Sequence, residues 1–266
     1  RIEMFIDLLK SNEVYKKVWL TEDNAEKVIT KTEELGLISS QLIGGAKVFR
    51  PSRNEAALLS FYQNNVSHHF LIYSMICLSL KFVEKLSEKE IYRLSNLVYP
   101  FLQSDFYLPW KKDQINNIVN KCLKVLINLG LIIKLEKNFV SKPDNSIKKY
   151  QDFLALSNIS ESSIKRFYIV MSTLWSEKEL VVDELQDRCI YIANELQKIE
   201  GWLYTEFSDA SKFKVFIEKL LEDRYIKENS VNKLSPSRIT QKVKIEFQEF
   251  FNQEFMNEVN QLNLRE

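Results

Sequence analysis

The sequence predicts a mainly α fold: a helical body carrying two or three helix–β-hairpin units of winged-helix type. Three observations predict it. Glycine and proline are scarce, five of each in 266 residues, so long stretches run without a helix breaker. Between them, apolar side chains recur at helical period. Finally, three helical patterns close on related tetrapeptides: Leu35-Gly36-Leu37-Ile38, Leu129-Gly130-Leu131-Ile132 and Asp223-Arg224-Tyr225-Ile226. Each is followed by a short β-prone stretch and then a proline, Pro51, Pro143 or Pro236. Ile38, Ile132 and Ile226 are spaced 94 residues apart both times. A helix closing at Gly and leading into a hairpin is the C-cap-to-wing pattern.

The elements follow in order. Residues 1–51 read as a helix plus a hairpin leading into a motif helix. Ser52, after Pro51, is placed to cap that helix, with Glu55 three residues on to complete a capping box. No Gly or Pro follows until Pro100, so one helix from about Asn54 to about Leu80 is expected. Ser87-Glu88-Lys89-Glu90 is a second capping box, opening a helix that runs toward Tyr99-Pro100. Residues 113–128 place Ile115, Ile118, Val119, Cys122, Val125 and Leu126 on one stripe. Ile159 to Trp175 and Lys178 to Ile199 form two long helices, the second stopping at Gly201. Ser208 is placed to cap a helix carrying Phe213, Phe216, Ile217, Leu220 and Leu221. The tail, about Ile239 to Leu262, carries Val243, Phe247, Phe250, Phe251, Phe255 and Val259. An aromatic stripe of that size is expected to dock on the core, since exposed it would invite association. Beyond residue 51 this gives a helical body with a winged-helix-like unit over 52–143. A helical region with a third helix–hairpin unit and the tail helix follows over 144–266.

Composition narrows the function classes. A chain of this length, 45% hydrophobic, can bury one large core or two smaller ones, as a soluble intracellular protein does. With 37 basic and 36 acidic side chains the net charge is +1, which argues against a strongly electrostatic polyanion binder. Cys77, Cys122 and Cys189 are far apart and each lies in an apolar helical pattern, so core packing is their role. There is no CxxC and no Cys/His cluster, so no metal and no cofactor is expected. The longest apolar stretch, Phe70 to Leu80, is too short to cross a membrane and contains two serines. There is no signal peptide, and a start at Arg1 rather than Met suggests a piece of a longer product.

The most informative block is residues 53–70, Arg-Asn-Glu-Ala-Ala-Leu-Leu-Ser-Phe-Tyr-Gln-Asn-Asn-Val-Ser-His-His-Phe. On one helix, Phe61, Asn65, His68 and Ile72 share a face, and Asn64 and His68 are i, i+4 neighbours. An amide and imidazole stripe between large apolar side chains must be hydrogen-bonded if buried. A helix–helix hydrogen-bond network is the simpler reading; contact of His68 or Arg53 with substrate or another domain is the sharper one. Neither histidine heads a His-x-x-x-x-Asp dyad, since Tyr73 follows His68 at that spacing and Ser74 follows His69. No catalytic residue is therefore assigned.

The block resembles the "Arg-x-x-Ala, Tyr-Tyr-Arg-Asn-Asn, His" segment downstream of the catalytic domain in bacterial membrane-bound glycerol-3-phosphate acyltransferases, through Arg53, Ala56, Tyr62, Asn64, Asn65 and His68. Ile6-Asp7-Leu8-Leu9-Lys10 and Lys47-Val48-Phe49-Arg50-Pro51 fit the family's approach to that segment. Leu97-Val98-Tyr99-Pro100-Phe101-Leu102 is similar to its "Leu-Tyr-Pro" segment, and Asp105-Phe106-Tyr107-Leu108-Pro109-Trp110 to its acidic-Leu-Phe-Leu-x-Trp stretch. The Ile132 and Ile226 turns sit where the family has "Gly-Leu-Ile" and "Glu-Gly-Tyr-Ile", so the resemblance covers about residues 1–226. Gln63 replaces a common Arg, which puts phosphate binding at that position in doubt, and Ile72-Tyr73-Ser74 replaces a Leu-Pro-Ser turn. Glu200-Gly201-Trp202-Leu203 begins like the family's Glu-Gly-x-Arg signature but has no following Arg.

The resemblance implies a carboxyl-terminal region without the catalytic signature. The parent enzyme would move an acyl group from acyl carrier protein or acyl-CoA to the sn-1 hydroxyl of glycerol 3-phosphate, giving lysophosphatidate for phospholipid synthesis. It would lie peripherally on the cytoplasmic face of the bacterial inner membrane, with this chain itself soluble. Implied partners are the upstream catalytic domain, those substrates through it, and a membrane surface. Arg53, Tyr62, Asn64, Asn65 and His68 become interdomain candidates. The alternative is a winged-helix nucleic-acid-binding or regulatory scaffold. Against it, the candidate recognition helix at 113–128 carries only Lys121 and Lys124, opposed by Asp113, so no nucleic-acid partner is expected.

Overall fold

The architecture is mainly helical with small antiparallel sheets, as the periodicity predicts, and divides into a unit over Arg1–Leu71 and a unit over Ile72–Glu266. The structure, a computed structural model, describes residues 1–11, 24–51, 55, 58–59, 65–200 and 205–264.

In the first unit, α1 (Ile2–Lys10) buries Met4 and Leu8. Helix α2 (Ala25–Glu34) starts at Asn24, whose side chain accepts from the Lys27 N–H at 3.0 Å. It stops at Gly36, φ 71°, where the Gly36 N–H donates to Glu33 O and the Leu37 N–H to Thr32 O. These are the two reversed bonds of a Schellman motif, and only Gly adopts that φ without strain. The chain then forms β1 (Ile38–Ile43) and β2 (Ala46–Pro51), paired from Ile38↔Pro51 to Ile43↔Ala46 across Gly44-Gly45. Both turn glycines have positive φ, as a two-residue hairpin loop requires.

The second unit repeats one order of elements twice. The first pass runs α3 (Leu71–Lys81), β3 (Lys85–Ser87), α4 (Glu88–Phe106), α5 (Ile115–Asn128), β4 (Ile133–Lys134) and β5 (Phe139–Ser141). The second runs α6 (Lys148–Glu177), β6 (Leu180–Val181), α7 (Val182–Glu200), α8 (Ala210–Glu222), β7 (Ile226–Glu228) and β8 (Lys233–Pro236). Each pass closes a three-stranded antiparallel sheet with the last strand in the middle, β3-β5-β4 and β6-β8-β7. The tail forms α9 (Arg238–Phe247) and α10 (Gln253–Leu264).

Local chemistry explains the boundaries. Ser87 and Glu90 form the expected reciprocal capping box, with the Glu90 N–H donating to Ser87 Oγ and the Ser87 N–H to Glu90 Oε2. Helix α5 presents the expected stripe, burying Ile115, Ile118, Val119, Cys122, Leu123 and Leu126. It ends in the same Schellman bonds as α2, Gly130 N–H to Ile127 O and Leu131 N–H to Leu126 O. Helix α8 ends identically through Arg224 and Tyr225, but with a non-glycine residue at φ 60°.

Five expectations need correction. The helix placed at Lys178–Ile199 begins only at Val182, after the short strand β6 (Leu180–Val181). Helix α4 does not stop at Pro100 but runs through it to Phe106, because buried Leu94, Val98, Phe101 and Leu102 hold both halves on one core face despite the missing N–H. The cap of α8 is Asp209, accepting from the Ser211 N–H at 2.8 Å, while Ser208 ends a preceding 3-10 turn. The helix placed at Ile159–Trp175 begins much earlier, at Lys148, since nothing between Ser146 and Glu177 breaks it. The tail is two helices rather than one: Phe251 is extended, and Asn252 accepts from the Phe255 N–H to restart the chain.

The core of the second unit forms around α6, whose residues Ile164 and Phe167–Leu174 are buried on every side. Phe167 stacks on Phe216 at 4.2 Å between ring centroids, and Phe101 meets Phe216 edge-on at 5.2 Å. As expected, the tail docks on this core: Phe247, Phe250, Phe251 and Phe255 are buried, with Phe251 and Phe255 against Tyr168. Helix α3 is buried along its length, which accounts for the apolar run at 70–80. No helix among the described residues is long and apolar enough to cross a membrane.

Candidate functional site

The motif block is described only at its downstream end. Arg53, Ala56, Tyr62, Asn64 and Ser52 lie outside the described residues, while Asn65 and His68 lie within them. The continuous helix expected over 54–80 is interrupted. Residues 65–67 are helical, but the His69 N–H donates to Val66 O and the Phe70 N–H to Ser67 O, giving a tighter turn over 68–70 before α3 begins. The helical stripe through Asn65, His68 and Ile72 therefore does not hold its register.

Within that turn Asn65 is exposed and His68 and His69 are half-buried. The two imidazoles are neighbours, with ring centroids 3.9 Å apart and planes tilted by 39°. Burial, and secondarily the charge of His68, hold the His69 imidazole below its ordinary value. Phe70 meets Phe5 edge-on at 4.9 Å, fixing the turn to α1 within the same unit.

A second constellation, not anticipated from the sequence, occupies the core of the second unit. Asp105, in the last turn of α4, accepts from Arg166 Nη2 at 3.0 Å and Ser163 Oγ at 2.8 Å on α6. Its other oxygen accepts from Lys212 Nζ on α8 at 2.9 Å. Arg166 also donates to Ser163 Oγ, closing the group. Burial alone would raise the Asp105 carboxyl, but Arg166, Lys212 and Ser163 outweigh it and hold the group below the ordinary carboxylate value. The two cations also offset the unfavourable placement of an acid at a helix C-terminus.

On the same helix α6, Glu161 pairs with Lys81 Nζ at 2.6 Å and Lys165 Nζ at 3.6 Å. One turn earlier, Ser74 Oγ of α3 donates to Ser157 O and accepts from the Ser160 N–H. These bonds tie α3, α4 and α8 to α6 through satisfied polar groups. The signal in the sequence is the pair Lys165-Arg166, set inside the otherwise apolar run from Ile164 to Val170.

The resemblance segment in α4 and the one that leaves its end are fastened together as well. The Tyr99 hydroxyl donates to Trp110 O at 2.6 Å, and Gln103 Nε2 donates to both Leu108 O and Trp110 O. "Leu-Tyr-Pro" thus supplies the donor that shapes the acidic-aromatic stretch beginning at Asp105.

Chemically, this arrangement positions helices. The Asp105 oxygens are committed to three donors, and no group of His, Cys, Asp or Glu among the described residues could hold a metal ion. The three cysteines are free and buried, with the Cys122 and Cys189 thiols pushed up to about 12 by burial, so none is a nucleophile in the folded chain.

Comparison with known proteins places this geometry in a sequence context. A family model described as the glycerol-3-phosphate acyltransferase C-terminal region matches residues 1–229. A protein named glycerol-3-phosphate acyltransferase from Pseudomonas fluorescens (strain SBW25) is 26% identical over 237 residues, covering 88% of this chain and 28% of the relative. Proteins of the same name from Pseudomonas savastanoi pv. phaseolicola (strain 1448A / Race 6) and Pseudomonas aeruginosa (strain UCBPP-PA14) are 25% and 24% identical over 236 residues, with the same coverage. The chain spans about 28% of the length of these curated relatives.

Proposed function

The chain belongs to the family described as the glycerol-3-phosphate acyltransferase C-terminal region, and from that premise we propose that it is the non-catalytic carboxyl-terminal part of a glycerol-3-phosphate 1-O-acyltransferase. The parent enzyme transfers an acyl group from acyl carrier protein or acyl-CoA to the sn-1 hydroxyl of glycerol 3-phosphate, a step of phospholipid synthesis. This region buttresses the catalytic domain of the same polypeptide and aids its peripheral association with the cytoplasmic face of the bacterial inner membrane. The observation that carries the reading is the family match over residues 1–229 of a chain whose two histidines are followed, at the dyad spacing, by Tyr73 and Ser74 rather than Asp.

In this reading the second unit is two winged-helix-like modules in tandem, meeting near residue 144. The repeated helix, strand, helix, helix, hairpin order supports it, as does the central placement of the last strand in both sheets. The modules serve as protein scaffold rather than nucleic-acid readers. In the second, two of the three lysines of the third helix are engaged, Lys212 by Asp105 and Lys219 by Glu222 and Asp223, which leaves Lys214 as the one exposed lysine there. Arg53, Tyr62, Asn64, Asn65 and His68 remain interdomain candidates.

The test is acyl transfer by the purified chain with glycerol 3-phosphate and either donor. The expected result is no lysophosphatidate. Turnover that scales with chain concentration would overturn the non-catalytic reading.

A further inference from the structure

The turn after α4 has an unusual combination of features. Tyr107 is 89% exposed and non-glycine, yet it is held at φ 51°. That left-handed conformation is costly for an aromatic residue, and it aims the ring outward. Leu108 is buried beneath it and pins the turn, Pro109 is exposed again, and Trp110 is half-buried. Lys111 and Lys112 follow, both exposed, and neither forms an ion pair among the described residues.

The turn is rigid. Its carbonyls at Leu108 and Trp110 are held by Gln103, and Trp110 O also by the Tyr99 hydroxyl. Its charge is one-sided: Asp105 is buried and neutralised by Arg166 and Lys212, leaving Asp113 as the exposed acid beside the two lysines.

Tyr and Trp beside a lysine pair, on an exposed and pre-shaped turn, match the interface of an anionic bilayer. Amphipathic rings sit at headgroup depth there, and ammonium groups meet phosphates. We propose that the turn Phe106–Lys112 docks on an anionic phospholipid surface. Tyr107 and Trp110 enter the headgroup layer, and Lys111 and Lys112 contact phosphate. The proposal rests on the acyltransferase reading, which gives the chain a lipid surface to work at, and it names this turn as the contact.

The test is co-sedimentation of the full 266-residue chain with vesicles of equal parts phosphatidylcholine and phosphatidylglycerol, and with phosphatidylcholine alone. The chain is expected to bind the mixed vesicles, more weakly at raised salt, and to leave the neutral ones in solution. Lys111→Glu with Lys112→Glu should weaken binding by at least about tenfold. Tyr107→Gly should weaken binding while raising the thermal midpoint, because Gly accepts the left-handed turn. Opposite signs on binding and stability exclude misfolding as the cause. Absence of binding by the parent chain, equal binding to neutral vesicles, or unchanged binding by both variants would overturn the proposal. So would a self-association in solution that Tyr107→Gly abolishes while vesicle binding persists, because the turn would then serve a second copy of the chain. These results bear on the membrane association in the acyltransferase reading and leave its non-catalytic assignment, which turnover tests, untouched.

Discussion

Arg224 holds the same backbone position as Gly130, 94 residues later: each is the left-handed residue that ends a helix and turns the chain into a hairpin, at φ 60° and 68°. Each donates its N–H to the carbonyl three residues back, Leu221 and Ile127. The repeat is thus written in backbone geometry where side-chain identity has drifted. Arg224 tolerates a conformation that costs an L-residue about 1 kcal/mol, and the bonds of the motif persist.

Arg224→Gly should therefore stabilise the chain by about 0.5–1 kcal/mol, and Gly130→Ala should destabilise it by about 1 kcal/mol or more. Urea denaturation of the two variants beside the parent measures both. The same sign for both would contradict a shared left-handed turn.

Asp105→Asn leaves Arg166 buried without its countercharge and should cost about 3–5 kcal/mol, whereas Ser163→Ala should cost about 1 kcal/mol. The acid limb of stability carries the same signature. The Asp105 carboxyl is depressed in the fold, so its contribution is complete above its ordinary value near 3.8. It is lost as pH falls below that value and through the lower folded one. Unfolding followed from pH 6 downward (a range set by the ordinary carboxylate value) should show a shallower acid limb in Asp105→Asn than in the parent. Parallel limbs would remove Asp105 from the pH dependence.

Cys77, Cys122 and Cys189 are buried and their thiols raised by burial, so a thiol reagent at neutral pH should label none of them before unfolding. All three should react together in denaturant. Rapid labelling of one thiol in the native chain would place it outside the core.

The elements most legible in the sequence are those fixed by local rules. The Ser87–Glu90 box, the α5 stripe, the three helix stops and their hairpins all depend on residues a few positions apart. The docked tail was legible too, because its phenylalanines leave no other favourable place. What escaped depends on tertiary context. Asp105 and Arg166 are 61 residues apart, and nothing near either names its partner. Pro100 reads as a stop, yet core burial on both sides carries the helix through. Asp209 displaced Ser208 as the cap of α8 because both are competent caps, and the preceding 3-10 turn decides between them. The interruption at His68–Phe70 follows from two short backbone bonds that no propensity in that run announces.

The central claim, that this region is the non-catalytic end of a longer acyltransferase, is tested most directly by the intact mass of the native cellular polypeptide that contains it. The account predicts a product far heavier than 31.5 kDa, with a His-x-x-x-x-Asp motif upstream of Arg1. A native product of about that mass, working alone, would contradict it.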